Sequence, residues 1–132
     1  MDEETSPMVG MSPEEKEQYI AEQAMQIILN SGDARTLACK AFDKICERDF
    51  EGARKLLKEA DKTQVKAHNI QTAMIQGDVR GDEEKIGYYV LFTHAQDTLM
   101  TIQTELNLTK SILKLAEVTD SRISSLEARL DG

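Results

Sequence analysis

The stretch Asn30-Ser31-Gly32-Asp33-Ala34 (NSGDA) decides how many helices this chain makes. Taken locally it ends one, because Gly32 follows an Asn-Ser pair of the kind that often caps helices. Its flanks say otherwise. Apolar residues recur at Ile20, Ala24, Ile27 and Ile28 before it and at Leu37, Ala38, Ala41 and Ile45 after it, one face continuing to about Arg48. The start of that face is well marked: Ser12 suits an N-cap, Pro13 the first helical position, and Glu15 closes a capping box. A second helix, capped by Asp49, is expected from Phe50 to about Gln76, which spans ~40 Å at ~1.5 Å per residue. An antiparallel neighbour should match that length. The spacing therefore predicts one long first helix with Gly32 inside it, at most bent there.

The second helix carries an inward stripe of Phe50, Ala53, Leu57, Ala60, Ala67 and Met74, interrupted by Gln64, His68 and Gln71. The following QGDVRGDEEK reads as a loop, with Asp82, Glu83 and Glu84 as an acidic start to a third helix. That third helix has one apolar face too many. One stripe holds Phe92, Ala95, Leu99, Ile102, Leu106, Leu113 and Ala116. A second, turned around the axis, holds Val90, Leu108, Ile112 and Leu115, with Asp97, Thr101 and Thr104 between. The first stripe can pack within a bundle; the second calls for other copies of the chain. No alternating apolar runs or internal repeats suggest strands or a solenoid. The expected fold is all-α, an antiparallel up-down-up three-helix bundle, assembled as an oligomer. Residues 1–12 read as a disordered acidic arm, 13–121 as the folded domain, and 122–132 as an extension, helical or frayed, in which Ile123, Leu126 and Leu130 still permit helix.

Composition narrows the chemistry. A net charge of −8 disfavours nucleic acid as a partner, since affinity for phosphate backbones comes from clustered Lys and Arg. No apolar run reaches the ~20 residues of a membrane span, and MDEETSPM is acidic where a signal peptide is basic, which argues for a cytoplasmic protein. Cys39 and Cys46 lie about two helical turns apart, too far for a disulfide and without C-x-x-C spacing, so they read as buried thiols.

Few reactive groups remain. The chain has 2 histidines, His68 and His94, both expected on largely apolar helix faces, where a lone histidine is often a hydrogen-bonded core residue. Between Ile86 and Thr104 the only charged residue is Asp97, although 30% of the chain is charged. Little charge around His94 favours a neutral imidazole, whose free nitrogen is a nucleophile. Asp97, three residues on, shares its helical face. Gln64, His68 and Gln71 form a polar strip that could face the third helix near His94. A zinc or iron centre of His94, Asp97 and His68 looks underbuilt, because bundle sites draw carboxylates from several helices with Glu-x-x-His pairs. Catalytic triads and phosphate-binding Gly loops are missing too. Histidine is left as the reaction centre.

These residues fall in recognisable motifs: NSGDAR at Asn30–Arg35, a GDF-like RDF at Arg48–Phe50, AHNIQT at Ala67–Thr72 and HAQDTLMT at His94–Thr101. Over roughly residues 23–116 the chain resembles the enzyme IIA components of the lactose/cellobiose/chitobiose class of the bacterial sugar phosphotransferase system. The resemblance implies that His94, opening the H-x-Q-D motif, accepts a phosphoryl group from HPr as a tele-phosphohistidine and passes it to a cysteine of enzyme IIB. It also implies a homotrimer in which Asp97 meets its symmetry mates on the three-fold axis around a bound cation. Converging buried carboxylates need such an ion, and a hard one such as Mg2+ suits oxygen ligands. Gln96, His68 and Thr98 are the supporting candidates, as hydrogen-bonding groups toward the phosphoryl oxygens. Thr98 stands where many relatives carry a second histidine, and it cannot take that residue's positive charge. NSGDAR is closer to cellobiose- or chitobiose-type members than to lactose-type ones, and membrane contact would be indirect, through the IIC transporter. The competing class is a non-catalytic oligomeric helical adaptor with a structural His94.

Overall fold

The computed structural model describes residues 7–80 and 89–132, the side chains of 77–80 excepted. Three helices account for nearly all of them: α1 (Pro13–Cys46), α2 (Phe50–Arg80) and α3 (Val90–Asp131), with no strand among the described residues. α1 starts as its sequence dictates, with Ser12 in extended conformation and its hydroxyl accepting from the Glu15 amide, and it passes through NSGDA unbroken. A glycine in a helix interior costs ~1 kcal/mol. The apolar face continuing on both sides outweighs that.

The α1–α2 connection is tight. Arg48 adopts φ 64, and the Arg48 and Asp49 amides donate back to the Ile45 and Lys44 carbonyls. A left-handed non-glycine residue costs ~1–2 kcal/mol, offset in part by the Arg48–Asp120 ion pair at 2.6 Å. The glycine of a GDF sequence would carry no such strain. Asp49 Oδ1 accepts from the Gly52 amide at 3.0 Å, and the carboxylate lies so close over Gly52 that a Cβ there would collide with it. Glycine at 52 thus preserves the cap of α2.

Two apolar clusters fill the interior. One joins Ile20, Ala24 and Ile27 of α1, Ala67 and Met74 of α2, and Phe92, Ala95 and Leu99 of α3. The other joins Ala34, Ala38, Ala41 and Ile45, then Ala53, Leu57 and Ala60, then Ile102, Leu106 and Leu113. Between them lies a polar layer. Ser31 and Gln64 are the buried polar residues of the described chain, and Gln64, 2% exposed, donates from Nε2 to the Leu99 carbonyl at 2.8 Å. Among the described residues, Ser31 Oγ and Gln64 Oε1 find no partner. At the surface, Arg35–Glu105, Arg54–Glu117 and Lys110–Asp61 pair across helices, each worth at most ~1 kcal/mol where exposed, so they tune register more than stability.

Several boundaries differ from expectation. α2 does not stop near Gln76 but continues through QGDVR to Arg80, because one glycine costs less than abandoning the helical hydrogen-bond ladder. α3 does not begin at Asp82; Tyr89, extended at φ −123 and ψ 121, is its N-cap, and Asp82–Glu84 lie outside the described residues. Residues 1–6 of the expected arm also lie outside them. Residues 7–10 form a turn, and Met8 is 4% exposed, packed with Ile20 and Phe92 where Met11 also closes the end of the core. A single methionine has no periodicity, so its burial has no sequence signature. Residues 121–131 are helical throughout.

The Gln64 layer yields a stability test by urea unfolding at fixed protein concentration. Gln64→Ala should cost about 2–4 kcal/mol, from the lost hydrogen bond and the cavity together. Gln64→Leu should cost less than half of that, since it keeps the volume and removes the unpartnered Oε1.

Candidate functional site

The site candidates cluster at the N-terminal end of α3. Val90 opens the helix, so His94 stands in its second turn, with Gln96, Asp97 and Thr98 following within one more. The inward positions Phe92, Ala95 and Leu99 are buried in the first cluster, which turns His94 and Asp97 outward. Both are exposed, and Gln96 and Thr98 are half-buried. The His94 environment expected from the charge-poor sequence therefore does not hold within one subunit: among the described residues no neighbouring element buries the ring. Among the described residues, neither the His94 ring nor the Asp97 carboxylate has a hydrogen-bond or ion-pair partner. An α-helix side chain leans toward the helix N-terminus. A group carried on His94 thus projects toward the opening turn of α3, where backbone amides lack helical partners and the macrodipole is positive. Tyr89 supplies no side-chain cap there, and no acidic residue occupies the first turn.

Thr98 has a different task from the one its position suggested. Its hydroxyl donates to the His94 carbonyl at 2.8 Å, so its proton is committed to the backbone. A hydroxyl one turn after a carbonyl makes this bond readily. Thr98 accordingly cannot donate to a phosphoryl oxygen while that bond stands.

The polar strip of α2 is split. Gln64 alone turns inward to α3; His68 is exposed, with Nδ1 3.4 Å from Thr72 Oγ1, and Gln71 is half-buried. Among the described residues no hydrogen bond joins His68 to His94, Gln96, Asp97 or Thr98. Nor do the described residues hold a group of three or more His, Cys, Asp or Glu side chains placed to bind a metal, so the His94–Asp97–His68 centre is not assembled within one chain. Cys39 and Cys46 are exposed, contrary to their reading as buried thiols; Ala38 and Ile45, their neighbours in sequence, take the inward positions.

Two groups escaped the sequence reading. Ser31 is fully buried, and its spacing of four from Ile27 and three from Ala34 would have placed it on the inward face. Arg35 binds Glu105 through Nε and Nη2, both at 2.8 Å, a two-pronged tie between α1 and α3. That carboxylate holds the Arg35 guanidinium above its ordinary range, chiefly through the side-chain hydrogen bond. Part of NSGDAR is thereby explained as packing: its serine lies in the core and its arginine anchors α3.

Residues 22–117 match the family model of the PTS system lactose/cellobiose specific IIA subunit, and the chain belongs to that family of phosphotransferase proteins. It is 39% identical over 114 residues to the lichenan-specific phosphotransferase enzyme IIA component of Bacillus subtilis (strain 168), covering 86% of this chain and 98% of that protein. The crystal structure of the cellobiose-specific enzyme IIA from Bacillus anthracis is similar with a TM-score of 0.72 and 32% identity, over 84% of this chain and 94% of that one. The Escherichia coli IIA(Chitobiose), solved in complex with HPr, gives a TM-score of 0.68 at 32% identity, over 76% of this chain and 96% of that one. No helix of the described residues is long and apolar enough to cross a membrane.

The exposed cysteines give a direct check. Ellman's reagent should titrate both thiols of the folded protein without denaturant; two unreactive thiols would mean that assembly covers them.

Proposed function

We propose that this protein is the phosphocarrier of a sugar phosphotransferase system, receiving a phosphoryl group from HPr on His94 and delivering it to a cysteine of its cognate enzyme IIB. The observation that carries this reading is the His94 ring, exposed and unbonded among the described residues beside the opening turn of α3. The HPr complex of the E. coli relative supports the donor. In the first transfer, Nε2 of His94 forms a bond to phosphorus as the bond to the donor breaks, and the donor takes back its electron pair. In the second, a thiolate of the partner attacks phosphorus and the His94 ring leaves as the neutral imidazole. The loose in-line transition state asks mainly for alignment, which two docked protein surfaces provide. An open ring suits that task, since both partners must reach it. Gln96 and His68 remain candidate donors to the phosphoryl oxygens.

The names of the relatives, lichenan-, cellobiose- and chitobiose-specific, favour a β-linked sugar of that kind over lactose. The subunit is read as an antiparallel up-down-up bundle, supported by the helix ends that share each apolar cluster. Three subunits join through the outward stripe of α3. Asp97 lies on that stripe one turn before Thr101, with exposed Leu108 further along it, and among the described residues no cation of its own chain is paired to it. Oxygen donors alone suit a hard ion. Asp97, one from each copy, would hold Mg2+ or another divalent cation, whose charge would offset the converging carboxylates. The protein would act in the cytoplasm and meet the membrane only through the IIC transporter.

Phosphoenolpyruvate, enzyme I and HPr should place an acid-labile phosphate on the wild type and none on His94→Gln. A wild type that takes no phosphate would favour a helical adaptor with a structural histidine. Thr98→Val should be phosphorylated within about threefold of the wild-type rate, because the lost bond is to backbone. Asp97→Leu should raise the thermal stability of the trimer and keep phosphorylation, since it replaces repelling carboxylates by apolar contact. Sedimentation that finds the wild type monomeric would overturn the trimer.

A further inference from the structure

Beyond the family-matched segment, which ends at residue 117, α3 continues to Asp131. Asp120 pairs with Arg48 at the level of the α1–α2 connection, and every residue after it is exposed. Residues 121–131 therefore stand clear of the bundle as a helix of ~16 Å at ~1.5 Å per residue. A helix of that length gains little by itself in water, because helical stability in proteins comes mostly from packing an apolar face.

Such a face is present. From Leu108 the outward stripe continues through Ile112, Leu115, Thr119, Ile123, Leu126 and Leu130, spaced four, three, four, four, three and four. That is an eleven-residue rhythm, which keeps a stripe on one side of a nearly straight helix. Its large apolar members are all exposed, from Ile112 at 40% to Leu130 at 85%. The stripe that leaves the bundle is thus continuous with the one proposed to join the subunits.

The flanking charges say how copies would meet. With Ile123 at position a and Leu126 at d, Leu130 is the next a, Arg122 and Arg129 line one edge at g, and Glu127 lines the other at e. Arg122, Ser125, Leu126 and Arg129 do line one shallow groove together. None of Arg122, Glu127 or Arg129 has an ion-pair partner among the described residues of its own chain. In a parallel assembly the g edge of one helix lies against the e edge of its neighbour, which brings Arg122 to Glu127 of the partner subunit. Antiparallel helices would instead set the two arginine edges side by side.

We propose that residues 118–131 form a parallel coiled-coil stalk with the same segment of the other copies, prolonging the α3 interface beyond the bundle. This rests on the homotrimer reading above. The occupant of the stripe is the chain's own counterpart: the edges are complementary only when copies run parallel, and the stripe prolongs the one on the bundle. Two heptads are too short to choose the number of strands, so the bundle sets it.

The test uses the full chain with Cys39→Ser and Cys46→Ser, into which Leu115→Cys or Leu130→Cys is introduced singly and treated with a short bis-maleimide. Both positions should cross-link copy to copy, since in a parallel stalk each residue faces its own counterpart. Cross-linking at 115 without 130 overturns the stalk and leaves the trimer standing; cross-linking at neither overturns the trimer reading and the stalk with it. The charges give an independent arm in the wild-type background. Arg122→Glu should weaken association about three- to tenfold, the sum of a few exposed pairs, and adding Glu127→Arg should restore it. A double exchange no stronger than the single one overturns the parallel pairing.

Discussion

A helix packed between two others can bury only one side of itself, and α3 carries apolar residues on two. The bundle takes Phe92, Ala95, Leu99, Ile102, Leu106 and Leu113, and this choice commits everything else on the helix. Once those side chains point inward, His94 and Asp97 must point outward, and Leu108, Ile112 and Leu115 are left in water. Burying a leucine is worth ~2 kcal/mol, so a row of exposed ones is a standing driving force for association. The phosphoryl-transfer reading and the assembly reading of this protein are two consequences of that one rotational setting.

The setting is fixed more sharply by polar groups than by apolar ones. Alanine lines much of α1 and α2 on their inward faces, which allows close approach but offers little shape to lock a register. Gln64 supplies the missing specificity: its side chain crosses from α2 to a single carbonyl, that of Leu99, in a layer where any slip would strand buried polar atoms. Arg35 on Glu105 and Arg54 on Glu117 add ties from the surface. Leu99 lies just past His94 and Asp97, so the layer that aligns the helices also aims the site.

The chemistry asked of the site is slight, which suits how little is built there. A carrier must accept and surrender the same group, so strong binding of the phosphoryl group would impede the second transfer. Under the proposed reading, an open imidazole at the start of a helix would provide a nucleophile and a favourable field without a pocket. The bond from the Thr98 hydroxyl to the His94 carbonyl ties together the turn that bears the ring.

The sequence by itself determined the three helices, the long α1 through Gly32, the capping of α1 by Ser12 and of α2 by Asp49, and the inward stripes, because each depends on spacing along one chain. It also determined the site candidates, since HAQDTLMT is a local motif, and the surplus stripe on α3. Gln64 and Ser31 lie inside at spacings that already mark the inward face, whereas tertiary structure alone decided that His68, Cys39 and Cys46 lie outside. These positions sit at the margins of their helical faces, where a small rotation chooses between core and water and only the neighbouring helix fixes that rotation. It likewise decided that Met8 closes the core, that α2 runs to Arg80 and that α3 opens at Tyr89. Helix ends depend on a balance of about a kilocalorie per residue, and the packing of the rest of the molecule is large enough to tip it.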